Sequence, residues 1–156
     1  MPSRRDQIAM TSEEAKDFLA QQRVVSVSTI GRDGWPHVTA LWYVMRDREP
    51  WIYTYRRSQK VRNLERDDRA TLLFEDGEQY QELRGLMLKA HAIVHDEFET
   101  VAGIAEDVFS KYQGGGDAID DATREGLRSQ VPKRVAIQFQ VQDTVSWDHS
   151  KLGGTY

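Results

Sequence analysis

Between Val135 and Trp147 the chain alternates. Val135, Ile137, Phe139, Val141, Val145 and Trp147 are apolar, and Gln138, Gln140, Gln142 and Ser146 stand between them. Successive side chains on a strand point to opposite faces, so a period of two over this length specifies a β-strand and excludes an amphipathic helix. The apolar set is expected to share one face throughout, and the polar set to meet solvent or a partner.

Other segments supply strands to pair with it. Val24 to Thr29 is β-branched, and Gly31 with Asp33-Gly34 turns the chain back into His37 to Met45, which reads as a hairpin. In the returning strand Val38, Ala40, Trp42 and Val44 are expected on one face. His37, Thr39, Leu41 and Tyr43 take the other, whose mixed character suits the wall of a site. A polar turn from Arg46 to Pro50 leads into Trp51 to Tyr55, expected to pair with the strand before it. Ala70 to Phe74 is the next strand, followed by an acidic turn at Asp76-Gly77 and a long segment from Gln81 to His95. There the even positions Leu86, Leu88, Ala90, Ala92 and Val94 are apolar, and Gly85 is a candidate for a bend or bulge.

Helical signals are fewer. Thr11 with Glu14 forms a capping box ahead of Ala15, Phe18 and Leu19. Ser58 is expected to cap a short helix to about Arg66, with Val61 and Leu64 inward, Arg62 and Arg66 outward, and Lys60 and Asn63 beside the buried stripe. Phe98, Val101, Ala105, Val108, Phe109 and Tyr112 recur at helical spacing until Gly114-Gly115-Gly116, and a short second helix follows. The strands come as hairpins and no repeat is visible, so parallel βαβ architecture is disfavoured. The expected fold is mainly β (α+β): six antiparallel strands in a small barrel with peripheral helices, as one domain over 156 residues.

With 39% apolar and 29% charged residues, collagen-like, coiled-coil and disordered classes are excluded. The absence of cysteine removes a disulfide framework, a thiolate metal site and a cysteine nucleophile, and it suits a cytoplasmic protein. Met1 to Met10 has no apolar signal core and the longest apolar runs are short, so neither export nor a membrane span is expected. The net charge is −4, unfavourable for nucleic acid. Yet Arg56, Arg57, Lys60, Arg62, Arg66 and Arg69 face only Glu65, Asp67 and Asp68 within one short segment. An acidic chain that gathers cations in one place is suited to hold an anion there.

Candidate chemistry narrows by elimination. His91 and His95 are four apart, but on a strand that separates them by roughly 13 Å, too far to share a metal. His37 and His149 are possible polar contacts to a ligand, or half-buried histidines with one hydrogen bond each. Gly114-Gly115-Gly116-Asp117 lacks a Gly-Lys-Ser/Thr continuation, and no Gly-x-Ser-x-Gly elbow exists. What remains is Thr54-Tyr55-Arg56-Arg57-Ser58-Gln59-Lys60-Val61-Arg62-Asn63-Leu64, where a strand ends, cations gather and a helix begins. Helix N-terminal amides with a lysine and an arginine make a phosphate site. The competing reading is a solvated basic helix paired internally through Arg62 and Glu65.

Thr54, Ser58, Lys60, Asn63 and Leu64 form a Thr-x-x-x-Ser-x-Lys-x-x-Asn-Leu pattern that resembles the pyridoxamine 5′-phosphate oxidase-like split-barrel family. Asp33-Gly34-Trp35-Pro36, continuing through His37 to Tyr43, is similar to that family's hairpin and cofactor-lining strand. The sequence departs at Ala40, where many members have proline, and at Asp68, within a segment that is commonly Asp-Pro-Arg. The resemblance implies a six-stranded split β-barrel homodimer with a flavin or deazaflavin between the subunits, nearest to the branch that uses coenzyme F420, with FMN as the alternative. It implies that Ser58 and Lys60, with Arg56 or Arg57 and the adjoining Gln59, hold the phosphate, that Thr54 lies beneath it, and that Val38, Thr39 and Ala40 line the ring. Asn63 either joins them or fixes the helix to its strand, and Trp42 and Trp51 are read as core aromatics. Chemistry would reside in the cofactor, acting on a small-molecule substrate, so no catalytic residue is assigned. The segment Trp147 to Tyr156 is a candidate cover for the partner's site. A non-catalytic cofactor carrier or sensor is the other class of function.

Overall fold

The computed structural model describes residues 1–114 and 118–154. In chain order the elements are α1 (Arg4–Ile8), α2 (Ser12–Gln21), β1 (Val25–Ile30), β2 (Pro36–Leu41), β3 (Val44–Arg46), β4 (Glu49–Tyr55), α3 (Gln59–Arg66), β5 (Arg69–Asp76), β6 (Arg84–His95), α4 (Phe98–Tyr112), α5 (Asp121–Gln130) and β7 (Arg134–Asp148). The expected capping box holds, with Thr11 Oγ1 accepting from the Glu14 amide and the Glu14 carboxylate accepting from the Thr11 amide. The short α1, opened by a similar box at Ser3, was not anticipated. Among the described residues no helix is long and apolar enough to cross a membrane. Of the Gly114-Gly115-Gly116 run, the last two glycines and Asp117 lie outside the described residues, as do Thr155 and Tyr156 at the end of the segment considered as a cover.

Seven strands form one sheet in the order β2-β1-β5-β6-β7-β4-β3, every pairing antiparallel. The seventh arises because the stretch expected as one strand, His37 to Met45, breaks at Trp42 and Tyr43. Its halves occupy opposite edges of the sheet. Laid flat at about 4.8 Å per strand, those edges would lie roughly 29 Å apart. Leu41 and Val44 are three residue steps apart and span at most about 11 Å. The sheet therefore rolls until its first and last strands meet at Trp42-Tyr43. Below that seam they stay apart: β3 pairs with β4 only over Glu49 to Trp51, so the edge of β4 from Ile52 to Tyr55 has no strand beside it, and neither has the outer edge of β2. The barrel is split along that line.

A second departure concerns β7. The pairing runs Ala90↔Val141 and then Lys89↔Asp143, so Gln142 bulges out of the ladder. Beyond a one-residue bulge the faces exchange. Val135, Ile137 and Phe139 are buried in the core, but Thr144 and Ser146 are the residues opposite the buried Leu88 and Leu86. Val145 and Trp147 consequently face outward, not inward with the rest as expected. Gly85 is not the bulge. A Cβ there would overlap the Trp147 indole, so glycine is what lets the ring lie flat on β6.

The barrel interior is filled by Val25, Val27, Ile52, Leu72, Phe74, Leu86, Ile137 and Phe139, with Phe18 and Leu19 of α2 closing one end. Val61 and Leu64 of α3 close the other. A second cluster joins Val101, Ala102 and Ile104 of α4 to Val44 and Ala136. The attachment of α3 is partly polar: Asn63, fully buried, donates to Thr29 Oγ1 at 3.0 Å and accepts from Gln59 Nε2 at 2.9 Å.

Two stability outcomes follow from these packings. Gly85→Ala should displace Trp147 and cost about 1–3 kcal/mol, measured by urea unfolding, and the cost should shrink in a Trp147→Ala background. Asn63→Ala strands the side chains it joins and should cost about 1–3 kcal/mol. Unchanged midpoints would contradict these contacts.

Candidate functional site

The segment from Thr54 to Asn63 is where β4 leaves the sheet and α3 begins. Ser58 takes the N-cap position with extended backbone, its amide donating to the Tyr55 carbonyl and its own carbonyl accepting from the Arg62 amide. Its side chain does not cap the helix, contrary to expectation. The Ser58 hydroxyl is buried and has no hydrogen-bond partner. A cap loses a bond worth about 1 kcal/mol when its oxygen is turned elsewhere, and here the oxygen is left free beside the first-turn amides.

Lys60 lies one turn into this junction. It is 8% exposed, and its ammonium donates to Thr54 Oγ1 at 3.1 Å. Burial holds its pKa below that of an ordinary lysine. No carboxylate pairs with it among the described residues. A buried ammonium with one hydroxyl acceptor is short of partners for its charge, which makes this the main electrostatic irregularity in the segment. Arg56 forms only a long, exposed ion pair with Asp96 at 3.6 Å, and Arg57 is exposed. Neither Arg62 nor Glu65 forms the internal ion pair that would have made this a plain solvated helix.

Two further polar atoms are buried without partners: His37 Nδ1 and Thr39 Oγ1. Thr39 lies opposite the buried Val27 and His37 opposite the buried Thr29, so both sit on the inner face of β2, at the free edge of the split. His37 lines a cleft of about 470 Å³ with Trp35, Gln59 and Asn63. A second cleft of about 500 Å³ spans the split higher up, bringing Ala40 and Trp42 to face Tyr53, Arg134 and Phe109. Thr54 and Lys60 line neither cleft.

Of the residues read from the sequence, the structure joins Lys60 to Thr54 by a hydrogen bond, sets Ser58 at the N-cap of the same helix, and fastens α3 to β1 through Asn63, which Gln59 bonds from within the helix. Val38 and Ala40 point outward from β2, Val38 being 59% exposed. Trp42 is not a core aromatic: it is 47% exposed and stacks on Tyr112 at 4.5 Å between ring centroids. Trp51 stacks on His95. His91 and His95 bond to Asp68 and Gln138 respectively, and His149 bonds to the Tyr80 carbonyl.

Sequence reasoning missed Arg134. Its guanidinium lies 3.6 Å from the Tyr55 ring centre and 5.0 Å from that of Tyr53, with Nε buried and unpartnered. Burial raises the Tyr53 phenol above its ordinary pKa while the Arg134 cation opposes that rise. The register Tyr55↔Arg134 creates this stack, and no local signal announces a pairing between residues so far apart in the chain.

Comparison with known proteins agrees with this geometry. The family model described as pyridoxamine 5′-phosphate oxidase matches residues 11–148. A conserved hypothetical protein of Mycobacterium tuberculosis is 36% identical, with a TM-score of 0.90, covering 99% of this chain and 95% of its own. An F420 reductase shares the fold at 16% identity and a TM-score of 0.63, covering 83% of this chain and 94% of its own. So does the heme storage protein HutZ from Vibrio cholerae, at 17% identity and a TM-score of 0.67, covering 89% and 97%. No curated protein matches the chain. From the match over residues 11–148 and the split seven-stranded barrel together, the chain belongs to the pyridoxamine 5′-phosphate oxidase family.

Proposed function

We propose that this protein binds coenzyme F420 in the split of its barrel and passes a hydride from the reduced coenzyme to a small electrophilic organic substrate. The observation that carries the reading is the junction at Lys60: a buried ammonium without a counter-ion among the described residues, two positions after an N-cap serine whose buried hydroxyl has no partner. Both deficits are made good by a phosphate oxygen. The first-turn amides of α3 add donors, and its dipole favours negative charge there. Arg56 and Arg57, at the mouth of the junction, suit a coenzyme that carries a phosphodiester and a carboxylate tail better than one with a single phosphate, and this favours F420 over FMN.

The remaining residues orient and enclose. The outer edge of β2 has no strand beside it, so its backbone donors and acceptors are available along Val38, Thr39 and Ala40 to a planar, polar-edged ring. Trp42, Phe109 and Val108 give the neighbouring cleft an apolar wall that keeps water from the reacting face. When bound, the reduced coenzyme supplies the hydride, and the chain needs no acid or nucleophile of its own. We infer a homodimer because Trp35, Val38, Trp42 and Tyr55, at 74%, 59%, 47% and 58% exposure, border the same split, and a second copy would cover them. The FMN-dependent oxidoreductase is the alternative enzyme. A non-catalytic carrier is favoured by one observation, the kinship in fold with a heme storage protein.

Titration with F420 should quench its fluorescence, and Lys60→Met should weaken binding about 10- to 100-fold, the worth of a charge-assisted bond. The pH dependence has a definite sign. Burial lowers the Lys60 pKa in the free protein and a bound phosphate raises it, so affinity falls as pH rises above the free-protein value, and Lys60→Met removes that dependence. Tighter binding of FMN than of F420 would select the alternative enzyme. Binding without turnover of any quinone, tetrapyrrole or unsaturated lactone would select the carrier. Sedimentation should give twice the 18.0 kDa chain mass.

A further inference from the structure

A cavity of about 640 Å³, larger than either cleft along the split, opens at the opposite end of the barrel beneath α2. It shares no lining residue with those clefts. Its apolar walls are Leu19, Val44, Met45, Leu86, Leu88 and Val141, with Ser12, Ser110 and Thr144 beside them, and among the described residues no aromatic ring lines it. Leu86 and Leu88 belong to the half of β6 remote from α3, whose following loop bonds β6 at Ala92, and Val141 to the middle of β7. The volume falls in the range of small-molecule sites, and an aliphatic lining without flat rings suits a flexible hydrocarbon chain.

The rim is charged, and unevenly so. Lys16, Arg48 and Lys111 line it together with Glu13 and Asp107. Asp107 is taken up by Arg46 at 2.7 Å, so Glu13 alone opposes three cations, none of which forms an ion pair among the described residues. Lys111 is the most confined. Its ammonium donates to the Tyr43 carbonyl at 3.1 Å and lies 3.8 Å from the centre of the Tyr43 ring and 5.0 Å from that of Tyr112. Those contacts leave the charge poorly compensated, and burial, with Arg23 nearby, lowers its pKa to about 8. Arg48 is held at the rim in left-handed backbone, φ 66°, by the Asp47-Arg48 turn between β3 and β4. Left-handed backbone at both Asp47 and Arg48 is what a two-residue hairpin turn requires, and it fixes the direction in which Arg48 leaves the sheet.

We propose that this cavity binds a straight-chain aliphatic carboxylate, its chain lying among Leu19, Leu86, Leu88 and Val141 and its carboxylate at Lys111, Lys16 and Arg48. The site is separate from the cofactor groove and does not depend on the reading given for it.

Calorimetric titration of the full chain with decanoate and with decan-1-ol tests this without any variant. Decanoate should bind saturably, one per chain, and about tenfold more tightly than the alcohol, the worth of one charge-assisted bond. Lys111→Met, or Lys16→Met should the first fail to fold, should bring decanoate toward the alcohol's affinity. Leu88→Trp, with its fold verified by circular dichroism, should fill the cavity and abolish both. The absence of saturable decanoate binding, equal affinity for acid and alcohol, or undiminished binding to folded Leu88→Trp would each overturn the proposal.

Discussion

One buried phenol holds the seam of this barrel. Tyr43 sits where β2 and β3 part, fully buried, with its hydroxyl directed at the carbonyls of Leu19 and Gln22 at the end of α2. Its ring meets Phe74 of β5 edge-on, with centroids 4.8 Å apart. Its amide donates to the Tyr112 hydroxyl, and its carbonyl accepts from Tyr112 and Lys111. Thus every polar atom of a residue that belongs to no strand is satisfied by α2 or α4, which is the condition for burying irregular backbone. Burial also raises the phenol pKa, so the hydroxyl stays a neutral donor across the physiological range. Because the chain changes edge at this point, the two edge strands are joined there and apart below.

The opening below the seam requires a plug, and α3 is short. Its inward face carries Val61 and Leu64 but also Lys60 and Asn63, and these two polar residues are treated differently. Asn63 both donates and accepts inside the protein, so its burial is repaid by bonds it makes. Lys60 makes one bond to a hydroxyl. A desolvated ammonium costs several kcal/mol, and a hydrogen bond to a charged group returns about 1.5–3 kcal/mol, so the junction is left with a deficit that an anion removes. The same helix is therefore anchored at one residue and left electrostatically unsatisfied three residues earlier.

Most of the architecture was legible because it is written in local periodicity. The capping box at Thr11, the turn at Gly34, the apolar even positions of β6 and the helical spacing of α4 each depend on residues within a few positions of one another. The failures are nonlocal. Nothing in the alternation from Val135 to Trp147 signals that Gln142 bulges, since the bulge is a property of its pairing with Lys89 and Ala90. The run from His37 to Met45 has an unbroken strand pattern, and its break at Trp42-Tyr43 is imposed by closure of the sheet. The cation-rich junction was visible as composition. That Ser58 leaves its cap, and that Arg134 stacks on Tyr55, required the fold.

The two ends of the barrel pose the same electrostatic problem with different surroundings. Lys60 and Lys111 are each desolvated, and neither pairs with a carboxylate among the described residues. Around Lys60 are hydroxyls and helix amides, short donors and acceptors that match a compact oxyanion with several oxygens. Around Lys111 are the face of a tyrosine and a backbone carbonyl, which solvate a cation weakly, with Lys16 and Arg48 on the same rim above an aliphatic floor. An anion at that rim meets side-chain cations over an apolar cavity, not a row of helix amides, and a carboxylate can bring an apolar tail to fill the space beneath. The chemistry of the neighbours, more than the charge that both lysines share, is what distinguishes the two proposed sites.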